Sequence, residues 1–254
     1  LMKLQQEDPD AFIRESLARF VTAISGFIPP DLVTKATQVR VKERTKSMNE
    51  TGATLPMYIG AMDPAFRHDS FAFSIFHMEP DGTVVQDVLR TWTPDKKLKI
   101  TLDPQIIIAE IAQLVRQWSL TFVFSDQYQL EALQQLAQQH GFTIIGNDFT
   151  GKSKAKMYGS LIQLLRTNKI RLLDIPVVYQ QLTQLQKKLN AMGGVSIAAP
   201  QGRHDDVASV IALGCTAALQ AYPVPKPVET KKTLFQEGLD CIARKQATAD
   251  EAWI

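Results

Sequence analysis

Short apolar runs rich in aromatic and β-branched residues open the main part of the chain. The runs LPMYIGAMD (55–63), SFAFSIFHMEP (70–80) and TVVQDVLRTWTP (83–94) predict three successive strands. Asp81-Gly82 between the last two predicts a hairpin turn. Strands joined by such short connections are expected to be antiparallel.

Helical and strand patterns alternate in the residues that follow. Helices are predicted over 103–118, 127–141, 154–169 and 175–191. Strands are predicted over 120–126, 142–148 and 170–174. MGGVSIAAP (192–200) predicts a small hairpin or a flexible loop, and a last helix begins near Asp205. This order predicts an α/β fold with a mixed sheet, three antiparallel leading strands and flanking helices.

The two ends of the chain have a different character from this middle part. Residues 1–54 predict a helical lead-in, DPDAFIRESLARFVTAIS, and a polar, basic linker. Residues 55–222 are predicted to form the main domain. Residues 223–254 begin with a Pro- and Lys-rich linker and are predicted to form a C-terminal tail with a short helix.

The composition excludes several classes of protein. The chain has 254 residues, and its 45% hydrophobic content is ample for a buried core. Net charge is +2, so any nucleic-acid site must come from local patches. Cys215 and Cys241 lack zinc-ligand spacing and favour a reducing compartment. No apolar run reaches the roughly 20 residues of a membrane span, and a cytosolic protein is expected.

Aspartates stand where three of the apolar segments begin or end. Asp63 ends the first predicted strand, Asp126 ends the run LTFVFSD, and Asp205 and Asp206 begin the last predicted helix. Each has an ordinary structural interpretation when it is taken singly, as a turn residue before Pro64 or as a helix cap. Their joint placement instead predicts a set of carboxylates that converge on divalent metal ions.

Such a set has a defined chemistry. Two ions about 4 Å apart can activate water on one side of a phosphorus and stabilise the leaving oxygen on the other. Hard oxygen ligands favour Mg²⁺ or Mn²⁺. Asp63 is predicted to bridge both ions, with Asp126 on one and Asp205 or Asp206 on the other.

Two further residues are candidates for auxiliary roles. Asp69, six residues after Asp63, could return to the site as an auxiliary acid. His204 is expected to form a local hydrogen bond or to face a phosphate.

Four segments together resemble a known family. DPAFRHDSFAFSIF, FVFSDQYQ, FTGKSKAKMYGSLIQLLRTNKIRLLD and GRHDDVASVIALG resemble the nuclease domain of the large terminase subunit of tailed double-stranded DNA phages. The resemblance covers roughly residues 55–222 and implies a ribonuclease H-like fold. DPDAFIRESLARF and FIPPDLV resemble the segment that follows the ATPase domain of that family, and that domain is not expected in this chain.

The resemblance also implies a function. It implies a metal-dependent endonuclease that cuts concatemeric double-stranded phage DNA during genome packaging, with Asp63, Asp126 and Asp205/Asp206 holding the ions. The implied partners are double-stranded DNA, the portal and the small terminase subunit. The implied location is the cytoplasm of the infected bacterial host.

Lysines near these segments are candidates for DNA binding. The candidates are Lys152, Lys154, Lys156, Lys187 and Lys188. Each could bind phosphates without sequence preference, or could simply belong to a solvated helix face. Gly193 and Gly194 would give freedom to a mobile loop after the last two.

Two alternatives remain open at this point. Residues 146–153 (GNDFTGKS) satisfy the Walker A pattern between a predicted strand and a predicted helix, so the chain could bind a nucleotide through Lys152 and Ser153. Asp148 inside this loop disfavours phosphate, and the best strand ending in a metal-binding acid precedes the loop. The second alternative is a non-catalytic packaging or scaffold module whose aspartates are turn and cap residues.

Overall fold

A seven-stranded mixed sheet lies at the centre of the fold in the part of the chain that the computed structural model describes. The described residues are 26–46, 57–66, 69–95, 101–120, 122–126, 130–146, 151–189 and 195–221. The predicted lead-in helix and the predicted C-terminal tail lie outside these residues. The domain boundaries at 54 and 222 therefore remain predictions.

The strands of the main sheet are β1 Thr37–Gln38, β2 Tyr58–Asp63, β3 Phe71–Met78, β4 Val84–Trp92, β5 Phe122–Ser125, β6 Thr143–Gly146 and β7 Ile170–Leu173. Their spatial order is β1-β7-β4-β3-β2-β5-β6. The pairs β2/β3 and β3/β4 are antiparallel, as predicted, whereas β5, β6 and β7 pair in parallel with their neighbours. The predicted turn joins β3 to β4, and Gly82 there has a φ of +82° that suits glycine.

The helices are α1 Pro30–Ala36, α2 Pro104–Trp118, α3 Leu130–Gln139, α4 Gly151–Arg166, α5 Pro176–Thr183 and α6 Asp206–Ala221. They cover both faces of the sheet. Alternate residues of β2 separate two cores: Ile59 and Ala61 pack with α1, α4, α5 and α6, while Tyr58 and Met62 pack with α2 and α3. The period of two in a strand accounts for this division.

Helix α6 is the most deeply buried helix among those described. Its sequence is apolar around its whole circumference, which is the pattern of an internal helix. It packs on β2 and β3. At Gly214 a Cβ would overlap the ring of Phe76, so the absence of a side chain sets how closely α6 approaches the sheet.

The predicted helix over 175–191 is wrong in its second half. Helix α5 ends at Thr183, and β8 Gln186–Leu189 pairs antiparallel with β9 Val195–Ala198. The main-chain carbonyl of Leu185 accepts a hydrogen bond from Phe27 N at 2.6 Å, so tertiary pairing replaces the helical ladder here. Of the stretch 192–200, predicted as a small hairpin or a flexible loop, residues 195–198 form one strand, and its partner is β8 instead of a strand within that stretch. Residues 190–194 lie outside the described residues.

The described part of the predicted linker belongs to the sheet. Thr37 and Gln38 pair in parallel with β7, and Val33 and Ala36 of α1 are buried in the core. Two residues of strand cannot be recognised in a polar sequence, which is why the pattern indicated a linker. Within the described residues, no helix combines the length and the apolar character needed to cross a membrane.

Candidate metal-binding acidic pocket

Asp63 and Asp126 lie at the same edge of the sheet. Strands β2 and β5 are parallel neighbours, with Met62 opposite Ser125 at the end of the paired register. The next residue of each strand is the aspartate. Because parallel strands finish at one edge, these two carboxylates come together without further help from the fold.

Helix α6 brings the second pair of carboxylates to this edge. The main-chain carbonyl of Asp205 accepts a hydrogen bond from Ser209 N at 2.7 Å, so Asp205 occupies the cap position before the first residue of the helix, Asp206. Asp206 is buried, and its Oδ2 accepts a hydrogen bond from Ser70 N at 3.1 Å, just before β3. That bond attaches the start of α6 to the sheet.

The four aspartates share one pocket of about 210 Å³. It is lined by Met62, Asp63, Asp126, Lys154, Met157, Asp205, Asp206, Ser209 and Leu213. The predicted aspartates therefore converge from β2, β5 and α6, which are far apart in the chain.

Asp63 has the least favourable position for a charged carboxylate. Its burial, followed by repulsion from Asp126 and Asp206, raises the pKa of Asp63 well above its ordinary value. Lys154 acts in the opposite direction. A buried carboxylate among like charges is costly unless a cation or a proton compensates it.

The two aspartates at the start of α6 differ from each other. Burial raises the pKa of Asp206 to about 6, against the lowering effect of its hydrogen bond from Ser70. Asp205 has a buried Oδ2 that accepts no hydrogen bond from the described residues. Lys154 Nζ lies 3.6 Å from this oxygen, which is ion-pair distance but beyond hydrogen-bond distance.

These residues fit a hard divalent cation. The acidic residues that line the pocket offer carboxylate oxygens, the ligand type that Mg²⁺ and Mn²⁺ prefer. Asp205 Oδ2 is a buried acceptor to which no described residue donates a hydrogen bond. In the described part of the chain, no three His, Cys, Asp or Glu side chains are already drawn together as a ligand group. The pocket thus collects the ligands, and their final arrangement would form around the ion.

Helix α4 supplies the positive charge of the pocket and joins it to α6. Lys154 lies over the ring of Tyr158, 6.0 Å from its centroid. The Tyr158 hydroxyl lies 3.1 Å from Ser209 Oγ in the core, and burial raises the pKa of Tyr158. Lys154 and Tyr158, four residues apart on α4, therefore connect this helix to the pocket acids Asp63 and Asp205 and to α6.

The auxiliary candidates lie beside the pocket. Asp69 Oδ1 and His204 Nδ1 are 2.9 Å apart, so the local hydrogen bond expected for His204 is present. Neither residue lines the pocket among the described residues. Asp69 acts on the site through its charge, which contributes to the raised pKa of Asp206.

The candidate DNA-binding lysines have separate locations. Lys154 faces the acidic pocket, whereas Lys156 on the same helix is exposed. Lys187 and Lys188 lie on β8 instead of on the predicted helix, and Lys187 is exposed. The side chains of Lys152 and Lys188 lie outside what the structure describes.

The Walker A segment has the expected strand and helix on its two sides. Strand β6 ends at Gly146 and α4 begins at Gly151, while residues 147–150 lie outside the described residues. Gly146 has a packing reason of its own, because a Cβ there would overlap the side chain of Leu130. Asp174, the acid after the later strand β7, is separated from β6 by four strands, and its carboxylate accepts a hydrogen bond from Arg40 N.

Several residues that shape the pocket were not anticipated. Ser70 binds Asp206, Ser209 joins α6 to Tyr158, and Gln181 of α5 contacts the start of α6. Serine and glutamine are common surface residues, and no motif marked these three. Only their positions in the folded chain identify them.

Comparison with solved structures identifies the fold. The HK97 bacteriophage large terminase is similar over 86% of this chain and 48% of its own, at a TM-score of 0.61 and 18% identity. The large terminase nuclease of thermophilic phage G20c with bound magnesium is similar over 76% of this chain and 98% of its own, at a TM-score of 0.58 and 14% identity. The nuclease domain of the Thermus phage P74-26 large terminase is similar over 75% of this chain and 93% of its own, at a TM-score of 0.53 and 13% identity.

The fold is therefore similar to that of large terminase nucleases. The predicted α/β fold, with a mixed sheet, three antiparallel leading strands and flanking helices, is confirmed. This chain spans about half the length of the HK97 protein that it matches. No family model matches the sequence. No curated protein matches it either.

Proposed function

We propose that the protein is a nuclease that hydrolyses phosphodiester bonds of double-stranded DNA with Mg²⁺ or Mn²⁺ held in the acidic pocket. The observation that carries this proposal is the convergence of four aspartates from β2, β5 and α6, with a buried Asp205 oxygen that has no hydrogen-bond donor among the described residues. The terminase nuclease fold supports the proposal, and so does the bound magnesium of the similar G20c nuclease.

The chain's own residues would divide the work as follows. Asp63, half-buried between like charges, is the central ligand, with Asp126 beside it after the neighbouring strand. Asp205 is the principal ligand from α6, because its Oδ2 is not engaged by a hydrogen bond from the described residues. Asp206 has one oxygen occupied by Ser70 N and supports the site as a second acid.

Two bound ions would supply Lewis acidity at the phosphate and would acidify the attacking water. Met62, Met157 and Leu213 supply the apolar part of the pocket lining. Lys154 keeps a positive charge beside Asp205 while the pocket is metal-free. A phosphate entering the pocket would be attracted by this ammonium group, since it is the cation among the described lining residues.

DNA binding is proposed for Lys154 in the pocket and for the other candidate lysines. Lys154 and the exposed Lys156 lie on α4, the exposed Lys187 lies on β8, and Lys152 and Lys188 are their chain neighbours. Such contacts bind the DNA backbone and carry no sequence information. Cleavage by this chain alone should therefore depend weakly on sequence and strongly on salt.

The similarity to phage large terminases supports a proposed biological setting. The nuclease would cut concatemeric phage DNA during packaging in the cytoplasm of the infected host. The small terminase subunit and the portal are its proposed partners in that process.

Asp69 and His204 would support Asp206 from outside the pocket.

A plasmid cleavage assay tests the proposed chemistry. Supercoiled plasmid is incubated with the full chain and Mn²⁺ or Mg²⁺, and the wild type is compared with Asp63→Asn and Asp126→Asn. Each variant should nick the plasmid at least about 100-fold more slowly than the wild type. Removal of a direct metal ligand should reduce activity at least as much as loss of a residue that only orients a ligand. Metal-dependent nicking that Asp63→Asn leaves unchanged would reject the assignment.

Asp31→Asn is the matched control. Asp31 is an exposed aspartate on α1 that pairs with Lys35, so its loss removes the same charge without touching the pocket. It should cleave like the wild type. ATP hydrolysis that is abolished by Lys152→Ala would instead support the nucleotide-binding alternative, and a chain with neither activity would support the scaffold alternative.

A further inference from the structure

The start of α6 is capped by a residue from another helix. Gln181 of α5 is 7% exposed, and its Oε1 accepts hydrogen bonds from Val207 N at 2.7 Å and from Ala208 N at 3.2 Å. Main-chain N–H groups only donate, so both partners require the oxygen of the amide to face them. The orientation of Gln181 is therefore set by its partners.

Val207 and Ala208 are the second and third residues of α6. Their N–H groups have no partner inside a helix, and the side chain of the preceding cap residue normally accepts from them. Asp205 occupies that cap position. Its carboxylate would be expected to bind these two N–H groups, but Gln181 already does so.

The carboxylate of Asp205 is consequently available for another use. Its Oδ2 is buried, accepts no hydrogen bond from the described residues, and belongs to the wall of the acidic pocket. A second contact holds the same turn, because Gln184 Nε2 donates to the main-chain oxygen of His204 at 2.6 Å. Two glutamines at the end of α5 thus fix the segment that carries both acids.

We propose that Gln181 is a positioning residue for the metal centre: it replaces Asp205 as the cap of α6 and thereby leaves the Asp205 carboxylate in the pocket as a cation ligand. This inference rests on the proposed function, since it assigns the released carboxylate to the divalent cation. It also decides between two interpretations of Asp205 that the sequence allows, an ordinary helix cap and a metal ligand.

Metal-free protein provides the first test. In chelator, Gln181→Met leaves two buried N–H groups without their acceptor at nearly constant side-chain volume, and the melting temperature should fall by about 2–4 °C. Asp205→Ala should cause no such fall, because the side chain of Asp205 does not accept the hydrogen bonds from Val207 N and Ala208 N. A fall in Asp205→Ala that equals the fall in Gln181→Met would overturn the proposal.

The matched control for stability is Thr216→Val. It removes a side-chain hydrogen bond to Ala212 O within α6, about three turns beyond Asp205 and Asp206. Whatever it does to the melting temperature, it should leave Mn²⁺ binding unchanged. It therefore separates a general loss of stability from a change at the site.

Calorimetric titration with Mn²⁺ alone provides the second test, independent of cleavage. Gln181→Met should weaken Mn²⁺ binding by about 10-fold or more, since partners that orient metal ligands typically contribute that much. Gln181→Glu keeps an acceptor for both N–H groups and should stay within about threefold of the wild type. In an Asp205→Asn background, Gln181→Met should add no further loss.

The outcomes distinguish this inference from the proposed function. A wild-type chain that binds no Mn²⁺ would reject the proposed metal site and, with it, the role of Gln181. Wild-type binding that Gln181→Met does not change, or an equal loss with and without the Asp205 carboxylate, would overturn the inference alone. Loss in Gln181→Met with recovery in Gln181→Glu would support it.

Discussion

Lys154 Nζ lies 3.6 Å from Oδ2 of Asp205, inside a pocket whose other charged lining residues, among those described, are aspartates. The pair joins α4 to the start of α6. Lys154 also lowers the pKa of Asp63, so a single ammonium group acts on acids from two different elements. It partly compensates the negative charge of the pocket when no cation is bound.

Lys154→Met should separate charge balance from ligand positioning. In chelator at neutral pH the variant should melt about 2–4 °C lower than the wild type, because the acids lose their compensating charge. Calorimetric Mn²⁺ affinity should be retained or increased, since a competing cation has been removed. Lys156→Met removes the same charge from an exposed position of the same helix and should change neither quantity.

Weaker Mn²⁺ binding by Lys154→Met would contradict this account. It would mean that Lys154 holds Asp205 in place instead of balancing its charge.

The stability of the metal-free protein should decrease as pH rises through the range in which Asp206 ionises. Burial raises the pKa of Asp206 from an ordinary 3.8 to about 6, so between these values the folded protein binds more protons than the unfolded chain. This stabilising contribution is complete below about pH 4 and is lost as pH rises through 6. Asp63, with its pKa raised in the same direction, should extend the trend.

Thermal unfolding in chelator from pH 4 to pH 8 measures this effect. Asp206→Asn lacks the Asp206 contribution, so its melting temperature should gain on that of the wild type as pH increases. Parallel curves for the two proteins would contradict the prediction. Saturating Mn²⁺ should oppose the trend in the wild type, because the cation competes with protons for the same carboxylates.

A pair of glycines on neighbouring helices tests how α6 is seated. A Cβ at Gly214 would overlap the buried ring of Phe76, so Gly214→Ala should lower the free energy of unfolding by about 1–3 kcal/mol. At Gly159 of α4, apart from its chain neighbours and the adjacent backbone of its own helix, no atom of the described residues lies within 4 Å of the corresponding Cβ position. Gly159→Ala should therefore raise that free energy by about 0.5–1 kcal/mol.

Urea unfolding of the two variants gives both values. Because α6 carries Asp205 and Asp206, Gly214→Ala should also weaken Mn²⁺ binding. Equal effects of the two substitutions would show that contact with Phe76 does not set the position of α6.

The elements nearest to the pocket were the easiest to predict. Strands β2 to β4 are apolar and rich enough in aromatic and β-branched residues to be recognised, and the apolar spacing after Asp206 indicated a helix. Asp63 and Asp126 follow two parallel neighbouring strands, so their meeting at one sheet edge follows from ordinary parallel topology. Local sequence was informative here because local pattern and tertiary packing agree.

Prediction failed where residues far apart in sequence compete with local preference. The stretch after Thr183 has a helical pattern, yet Phe27 N donates a hydrogen bond to the carbonyl of Leu185, and β8 pairs with β9. Thr37 and Gln38 show no strand signal and still pair with β7. These outcomes depend on hydrogen-bond partners that no local window contains.

The sequence by itself determined the kind of site: four carboxylates, placed where apolar segments begin or end, with oxygen ligands suited to a hard cation. Only the tertiary structure decided how the two aspartates at the start of α6 differ. Ser70 N donates a hydrogen bond to Asp206 Oδ2. Gln181 caps the helix and leaves Asp205 Oδ2 without a donor from the described residues. The physical reason is that a carboxylate's role depends on which donors reach it, and those donors come from distant parts of the chain.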